Sequence, residues 1–439
     1  MEHSYPQQVV IVGFGITGQA CLDFFQQRHI QPKIIDTRPQ QQALLAQLSP
    51  IGSYHVGDLR LDWLLQAELV ILSPGISRCQ PAIQRTIAAG IPVISEIELF
   101  CREIKQPVVA ITGTNGKSTV TAWVAEMARQ AGLRVGAGGN LGPTALSLLK
   151  SAYDLYVVEL SSFQLESTYS LQAAAATILN ITPDHQDRYP QGMNCYQQAK
   201  QRIYQQATHC VVNSDDLLTQ PLTLAPKATI RTFGTQGSYR WQAHQNAIWL
   251  IHEDQRLLPV SRLKLLGQHN YANALAALAL ADAVGIPREP ALQALITFEG
   301  LAHRCQPVWQ RRGVSWINDS KSTTVESTLA ALQGLPAHRQ LHLLLGGRSK
   351  PGNYQALVPY LQRDNLQLYC FGEAAEQLAA LRPAAVEKIS TLEAAMRLVA
   401  QRVASGDIVL LSPACASFDQ FSNFAQRGEQ FTQLARRLG

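Results

Sequence analysis

Closely spaced cysteines are missing from this chain: its eight, at positions 21, 79, 101, 195, 210, 305, 370 and 415, form no C-x-x-C pair. That excludes a zinc ribbon and a disulfide framework, and predicts buried thiols in a reducing compartment. No run of about 18 uncharged apolar residues occurs. The opening Met1-Glu2-His3-Ser4-Tyr5-Pro6 has neither a basic segment nor an apolar one, so no membrane association and a cytoplasmic location are expected. Blocks of one charge are also absent. With 37 basic and 32 acidic residues, the net charge of +5 is dispersed, which favours small anionic ligands and no nucleic-acid groove. Internal repeats and low-complexity linkers are lacking as well. What remains is a chain of 439 residues, 46% hydrophobic, long enough for two to four domains at about 100–200 residues each.

The most informative stretch is Gly113-Thr114-Asn115-Gly116-Lys117-Ser118-Thr119. The apolar run Pro107–Ile111 before it reads as a buried strand. The spacing of Val120, Trp123, Val124 and Met127 after it reads as a helix. Glycines at a strand-to-helix turn aim backbone N–H groups at phosphate oxygens, and the helix N-terminus and Lys117 add positive charge. The Ser118 hydroxyl can ligate the Mg²⁺ that accompanies a nucleoside triphosphate. Only two residues separate the glycines, where the common phosphate loop has four.

Residues 1 to about 95 alternate short apolar strands (Val9–Val12, Lys33–Ile35, Leu69–Leu72, Pro92–Ile94) with helical segments, a parallel α/β pattern. The first strand runs into Gly13-Phe14-Gly15-Ile16-Thr17-Gly18, and Asp36 ends the next. Such glycines fit a pyrophosphate without specifying what hangs from it: a nicotinamide dinucleotide or a UDP-sugar satisfies them, with Thr37, Arg38 and Ser73 placed to assist. A central block continues through Tyr156–Leu160 and Ala176–Asn180, whose ends carry Glu159, Ser161, Asn180, Asp184 and His185. Short strands are expected between about 208 and 262, then a helix over 270–283. Lys200 reads either as an ordinary helix lysine or as an amine that loses its proton, captures CO₂ and bridges a metal as a carbamate. From about 301 the pattern is again α/β. Three strand ends there carry Asp319-Ser320-Lys321-Ser322-Thr323, Gly346-Gly347-Arg348-Ser349-Lys350 and Ser412-Pro413-Ala414-Cys415-Ala416-Ser417, a cationic setting that suits a dicarboxylate.

Seven motifs in order, Gly113–Thr119, Glu159–Phe163, Asn180–His185, Gly267–Asn270, His303-Arg304, Asp319–Lys321 and Leu345–Gly347, together resemble the Mur ligase family. Within it the sequence is most similar to the branch that joins D-glutamate to UDP-N-acetylmuramoyl-L-alanine. The resemblance implies an α/β fold in three domains: a Rossmann-like UDP-binding domain (1–95), a central P-loop ATPase domain with a parallel sheet plus a small β-sheet (96–300), and a mobile, Rossmann-like C-terminal domain (301–439). It implies ATP-driven amide formation through an acyl phosphate by a monomer. Carried over residue by residue, Gly113–Thr119, Asn270, Arg304 and Asp319 would hold ATP. Ser118 and Glu159 would hold one Mg²⁺, and His185 with carbamylated Lys200 a second. Ile16, Thr17, Thr37, Arg38 and Ser73 would bind the uridine diphosphate, and Asn140, Ser161 and His185 the rest of that substrate. Lys321, Thr323, Lys350, Ser417 and Phe424 would receive D-glutamate, and the catalytic groups would be Lys117, Glu159, His185, Lys200, Lys321 and Lys350. Arg348-Ser349 stands where this branch usually has an acidic residue and a glycine, and Pro183 replaces an acidic residue. Ligases adding another amino acid, or glutamate to folate, and nicotinamide oxidoreductases are the alternatives.

Overall fold

The structure is a computed structural model that describes residues 4–48, 53–185, 188–189, 191–265, 267–336, 338–350, 353–382 and 386–439. Two compact units are present: Met1–Leu263 with Tyr271–Phe298, and Lys264–Asn270 with Glu299–Gly439. Among the described residues they contain sheets of five, nine and six strands.

The five-stranded sheet is parallel and ordered Tyr54–Val56, Lys33–Asp36, Val9–Val12, Leu69–Leu72, Val93–Ile94. Val9–Val12 and Leu69–Leu72 are buried at every residue, as continuous apolar runs are when both faces of a parallel sheet are covered. The strand order reverses between these two, which puts the loops following them at a topological switch point, the place where such sheets bind ligands.

The nine-stranded sheet centres on Val108–Thr112, flanked by Ala175–Ile178 and Leu155–Glu159, with Val135–Gly139 on one edge. His209–Asn213 pairs parallel with Ala175–Ile178 and with Thr229–Phe233. The strands Tyr239–His244, Ala247–His252 and Gln255–Pro259 pair antiparallel with one another and join the sheet through a parallel pairing of Phe233 with Tyr239. The small sheet expected in this stretch is therefore joined edgewise to the parallel one.

In the second unit the order is Gln306–Arg311, Val314–Asn318, Ile408–Leu411, Leu341–Gly346, Leu366–Phe371, Val386–Ile389. Only the first pair is antiparallel. Val314–Asn318, Ile408–Leu411 and Leu341–Gly346 are adjacent and parallel, so the three loops at their carboxyl ends emerge side by side.

Candidate active site

In the first unit, the loop after Val108–Thr112 turns through Gly113 (φ +151°) and Gly116 (φ +85°), backbone conformations that favour glycine. The helix Lys117–Gln130 starts directly at Lys117. A Cβ on Gly116 would lie 2.5 Å from Asn273 Oδ1, so the loop is packed from behind as well. Asn180 clamps it from the neighbouring strand end: Asn115 N–H donates to Asn180 Oδ1 (2.9 Å), Asn180 Nδ2 donates to Asn115 O (3.1 Å), and Thr114 N–H donates to Asn180 O (2.8 Å). Lys117 Nζ folds back onto Gly113 O and Thr114 O, each at 2.9 Å.

Glu159 ends the next strand and is 2% exposed. Ser118 Oγ donates to its Oε2 (2.5 Å) and Asn140 Nδ2 to its Oε1 (2.8 Å). Both partners are neutral, so a buried carboxylate faces the phosphate loop beside a hydroxyl: two hard oxygen donors of the kind Mg²⁺ takes. Lys200, read from sequence as either solvated or special, is 2% exposed. This corrects the ordinary helix-face reading. Its Nζ donates to Gly113 O (2.9 Å) and Thr112 Oγ1 (3.3 Å). Burial, and then repulsion from Lys117, holds its amine well below the usual lysine range. His185 (φ +52°) is half-exposed and packs edge-on against Phe163, with ring centroids 4.8 Å apart. His185 and Lys200 flank the Tyr196 ring, at 6.3 Å between ring centroids and 4.6 Å from Nζ to centroid. Among the described residues, no group of three or more His, Cys, Asp or Glu side chains is gathered as a metal cage.

At the switch point of the five-stranded sheet, Ser73 Oγ donates to Gly13 O (2.7 Å), and a Cβ on Gly13 would sit 2.7 Å from Ser73 Cβ. Gly18 brings the following helix onto the turn, where its Cβ would meet Gly13 O at 2.2 Å. Asp36 is buried, and its carboxylate accepts from Phe14 N–H and from Arg38 N, Nε and Nη2. The Arg38 side chain holds that carboxyl below its ordinary range against the opposing effect of burial. The acid that a nicotinamide reading needs for a ribose is thus spent on its own loop, while Ile16 and Thr37 stay exposed. Ser161 is an N-cap: its hydroxyl accepts from Gln164 N–H (3.2 Å). Arg188, which the sequence did not single out, donates to Pro74 O (3.3 Å), Ile76 O (3.0 Å) and Glu166 (3.3 Å), tying the loop after Ser73 to the central segment.

In the second unit, Asp319 is 4% exposed and accepts from Cys305 N–H (3.0 Å) and Ser412 Oγ (2.7 Å). Burial pushes its carboxyl up to about 6 despite these bonds. Arg304 adjoins Cys305, and Asn270 lines a cavity of about 740 Å³ with Cys305, Trp309, Ile317 and Leu335. Lys321 Nζ stands 4.1 Å over the Phe424 ring, and Lys350 Nζ donates to Thr323 Oγ1 (3.2 Å). Ser417 is buried at the third loop. The expectation of eight buried thiols is corrected: Cys79 and Cys305 are exposed, and Cys101 and Cys195 partly so. Among the described residues no helix is long and apolar enough to cross a membrane.

Three family models match in order: "Mur ligase MurD-like, N-terminal domain" over residues 7–95, "Mur ligase middle domain" over 111–281, and "Mur ligase, glutamate ligase domain" over 303–415. The chain belongs to the Mur ligase family. This Mur ligase is 53% identical over 433 residues, 99% of each chain, to a UDP-N-acetylmuramoylalanine--D-glutamate ligase of Salmonella choleraesuis. Solved structures share its fold at lower identity. The UDP-N-acetylmuramate-alanine ligase of Thermotoga maritima has a TM-score of 0.62 at 20% identity, covering 98% of this chain and 99% of that one. The MurF ligase of Thermotoga maritima, solved in complex with ADP, has a TM-score of 0.60 at 15% identity, covering 98% and 94%.

Proposed function

We propose that this Mur ligase joins D-glutamate to UDP-N-acetylmuramoyl-L-alanine with hydrolysis of ATP to ADP and phosphate, in peptidoglycan precursor synthesis. The observation that carries the choice of substrates is the 53% identity across 99% of both chains to a relative of that name. The geometry supplies the reasons such chemistry can run here. A carboxylate is a poor electrophile, so the alanine carboxylate of the UDP-sugar attacks the γ-phosphorus of ATP, ADP departs, and an acyl phosphate forms. The D-glutamate amine then attacks the acyl carbon, phosphate leaves with the C–O bond, and the amine proton passes to solvent or to a base.

Transfer between anions depends on cations and preset donors. Gly113–Thr119 supply backbone N–H groups, and Lys117 swings from its own loop carbonyls to the phosphates. Ser118 and Glu159 fit Mg²⁺, since a buried carboxylate and a hydroxyl, two hard oxygen donors, stand together at the phosphate loop. A bound Mg²⁺ neutralises phosphate charge. Lys200 fits a carbamate because its amine is buried and disfavoured as an ammonium; with His185 it would hold a second ion. Asn270, Arg304 and Asp319 position the nucleotide. Ile16, Thr17, Thr37, Arg38 and Ser73 take the uridine diphosphate, with Asn140, Ser161 and His185 toward the reacting end. Lys321, Thr323, Lys350, Ser417 and Phe424 take D-glutamate; Arg348 is neutralised locally by Glu373 at 3.0 Å, so the basic departure in this loop leaves Lys350 its role. The domain limits 1–95, 96–300 and 301–439 follow the three sheets, whose strands span 9–94, 108–259 and 306–411. A cytoplasmic monomer completes the reading, to be checked by light scattering.

The deciding experiment measures phosphate release with UDP-N-acetylmuramoyl-L-alanine, ATP, Mg²⁺ and a panel of amino acids. Turnover is expected with D-glutamate alone. Turnover with L-lysine or diaminopimelate and none with D-glutamate would overturn the assignment.

A further inference from the structure

The three loops that carry Lys321, Lys350 and Ser417 meet at one side chain that none of the motifs contains. Arg427, on the helix Phe424–Leu438, is fully buried. Its Nε donates to Ser320 Oγ (3.0 Å) and its Nη2 to Ser320 O (2.9 Å). Nη1 reaches Gly346 O (3.4 Å), Cys415 O (3.1 Å) and Ala416 O (3.2 Å). One guanidinium therefore bonds all three strand-end loops. Its hydrogen-bond acceptors are four backbone carbonyls and the Ser320 hydroxyl. Burial draws the guanidinium down to about 10, and it stays protonated at neutral pH.

A buried cation of this kind is costly unless its donors are all used, and a planar fork is the shape that can reach carbonyls in three directions. The surroundings are built to the same end. A Cβ on Gly347 would lie 2.1 Å from Ala416 O and 3.0 Å from Arg427 Nη1. Arg348 and Ala416 exchange backbone hydrogen bonds of 2.9 Å, which zips the second loop to the third. Ser320 Oγ also donates to Phe424 O (2.7 Å), which fixes the ring that Lys321 covers.

We propose that Arg427 is a positioning residue for the amino-acid acceptor, setting the mutual spacing of Lys321, Lys350, Ser417 and Phe424 through the loops that bear them. Resting on the reaction proposed above, this predicts an effect confined to the acceptor. The test compares Arg427→Lys and Ser320→Ala with the native enzyme, reading KM for D-glutamate, ATP and the UDP-substrate separately, with circular dichroism to establish folding. Lysine keeps the charge but cannot bridge three loops, so KM for D-glutamate should rise about tenfold or more, since a hydrogen bond to a charged group is worth that much. Ser320→Ala, which removes the hydroxyl's bonds to Arg427 Nε and Phe424 O but leaves the guanidinium on all three loops, should raise it by about threefold. In both, KM for ATP and for the UDP-substrate should stay within about twofold. A purely structural residue would lower the folded fraction and leave every KM alone. Should Arg427→Lys fail to fold, Ser320→Ala carries the test. Folded variants with unchanged KM for D-glutamate, or with all three constants raised equally, overturn the proposal. Absence of D-glutamate turnover by the native enzyme overturns the reaction instead.

Discussion

Glu96 offers a test of the packing that is independent of the reaction. It is the first residue of the helix Glu96–Glu103, behind the Ser95 cap, and is 2% exposed. Its Oε1 accepts from Leu146 N–H at 2.6 Å, in the helix Ala145–Leu148. Burial pushes the carboxyl up to about 7, with the Leu146 and Ala145 N–H groups opposing it. Against an ordinary value of 4.5, that displacement corresponds to roughly 3 kcal/mol. The folded state holds this proton more tightly than the unfolded chain does. The associated stability is therefore complete below about pH 4.5 and is lost as pH rises through about 7. Glu96→Gln keeps a carbonyl oxygen for Leu146 N–H and cannot ionise. Near pH 5 the variant and the native protein should be about equally stable. Near pH 8 the variant should be the more stable by up to about 3 kcal/mol. Urea unfolding of both proteins side by side across this range reads the difference, in which titration of every other group cancels. A difference that does not change with pH, or a variant less stable than native at the alkaline end, would refute the reasoning.

Lys200→Ala should lose about a hundredfold or more of D-glutamate-dependent phosphate release, with partial recovery on adding a short carboxylic acid; full activity of the bare variant removes the bridging role. Gly18→Ala drives a Cβ to within 2.2 Å of Gly13 O, so it should destabilise the protein by about 1–3 kcal/mol and raise KM for the UDP-substrate, as thermal melts and initial rates would show. Phe424→Leu keeps apolar bulk but removes the ring face beneath Lys321, and should raise KM for D-glutamate by about threefold, the worth of an exposed cation–π contact. No change in that constant would separate Phe424 from the acceptor.

Much of this was legible because the phosphate and pyrophosphate turns require glycine for reasons visible in the chain itself. Gly13, Gly18, Gly113 and Gly116 lie where a side chain would strike Ser73, the backbone of the turn, Leu179 or Asn273, and the apolar runs before them mark the strands. Where glycine serves a strand, the same signal misleads. Val135-Gly136-Ala137-Gly138-Gly139 has little strand propensity, yet it pairs with Leu155–Glu159 because Tyr153, Pro143 and the Glu159 backbone fill the space its side chains would take. Asn140, at the end of this unannounced strand, was named from resemblance alone.

Longer-range dependence explains the remainder. Asn273 is an unremarkable amide in an alanine-rich helix until the fold sets it behind Gly116, 157 positions earlier in the numbering. Lys200 and Arg427 look like solvated basic residues on amphipathic helices. Their burial is decided by loops 87 and between 11 and 107 residues away. The two cases differ in an instructive way. Lys200, pushed toward its neutral form by burial first and by Lys117 second, suits an amine that reacts. Arg427, whose donors are met by five carbonyl or hydroxyl oxygens, remains a cation, which suits a fixed strut. A buried base driven toward neutrality points to chemistry, and one held as a cation by acceptors on three loops to architecture. Exchanging them should fail in both directions: arginine at 200 cannot shed its proton, and lysine at 427 cannot reach the third loop.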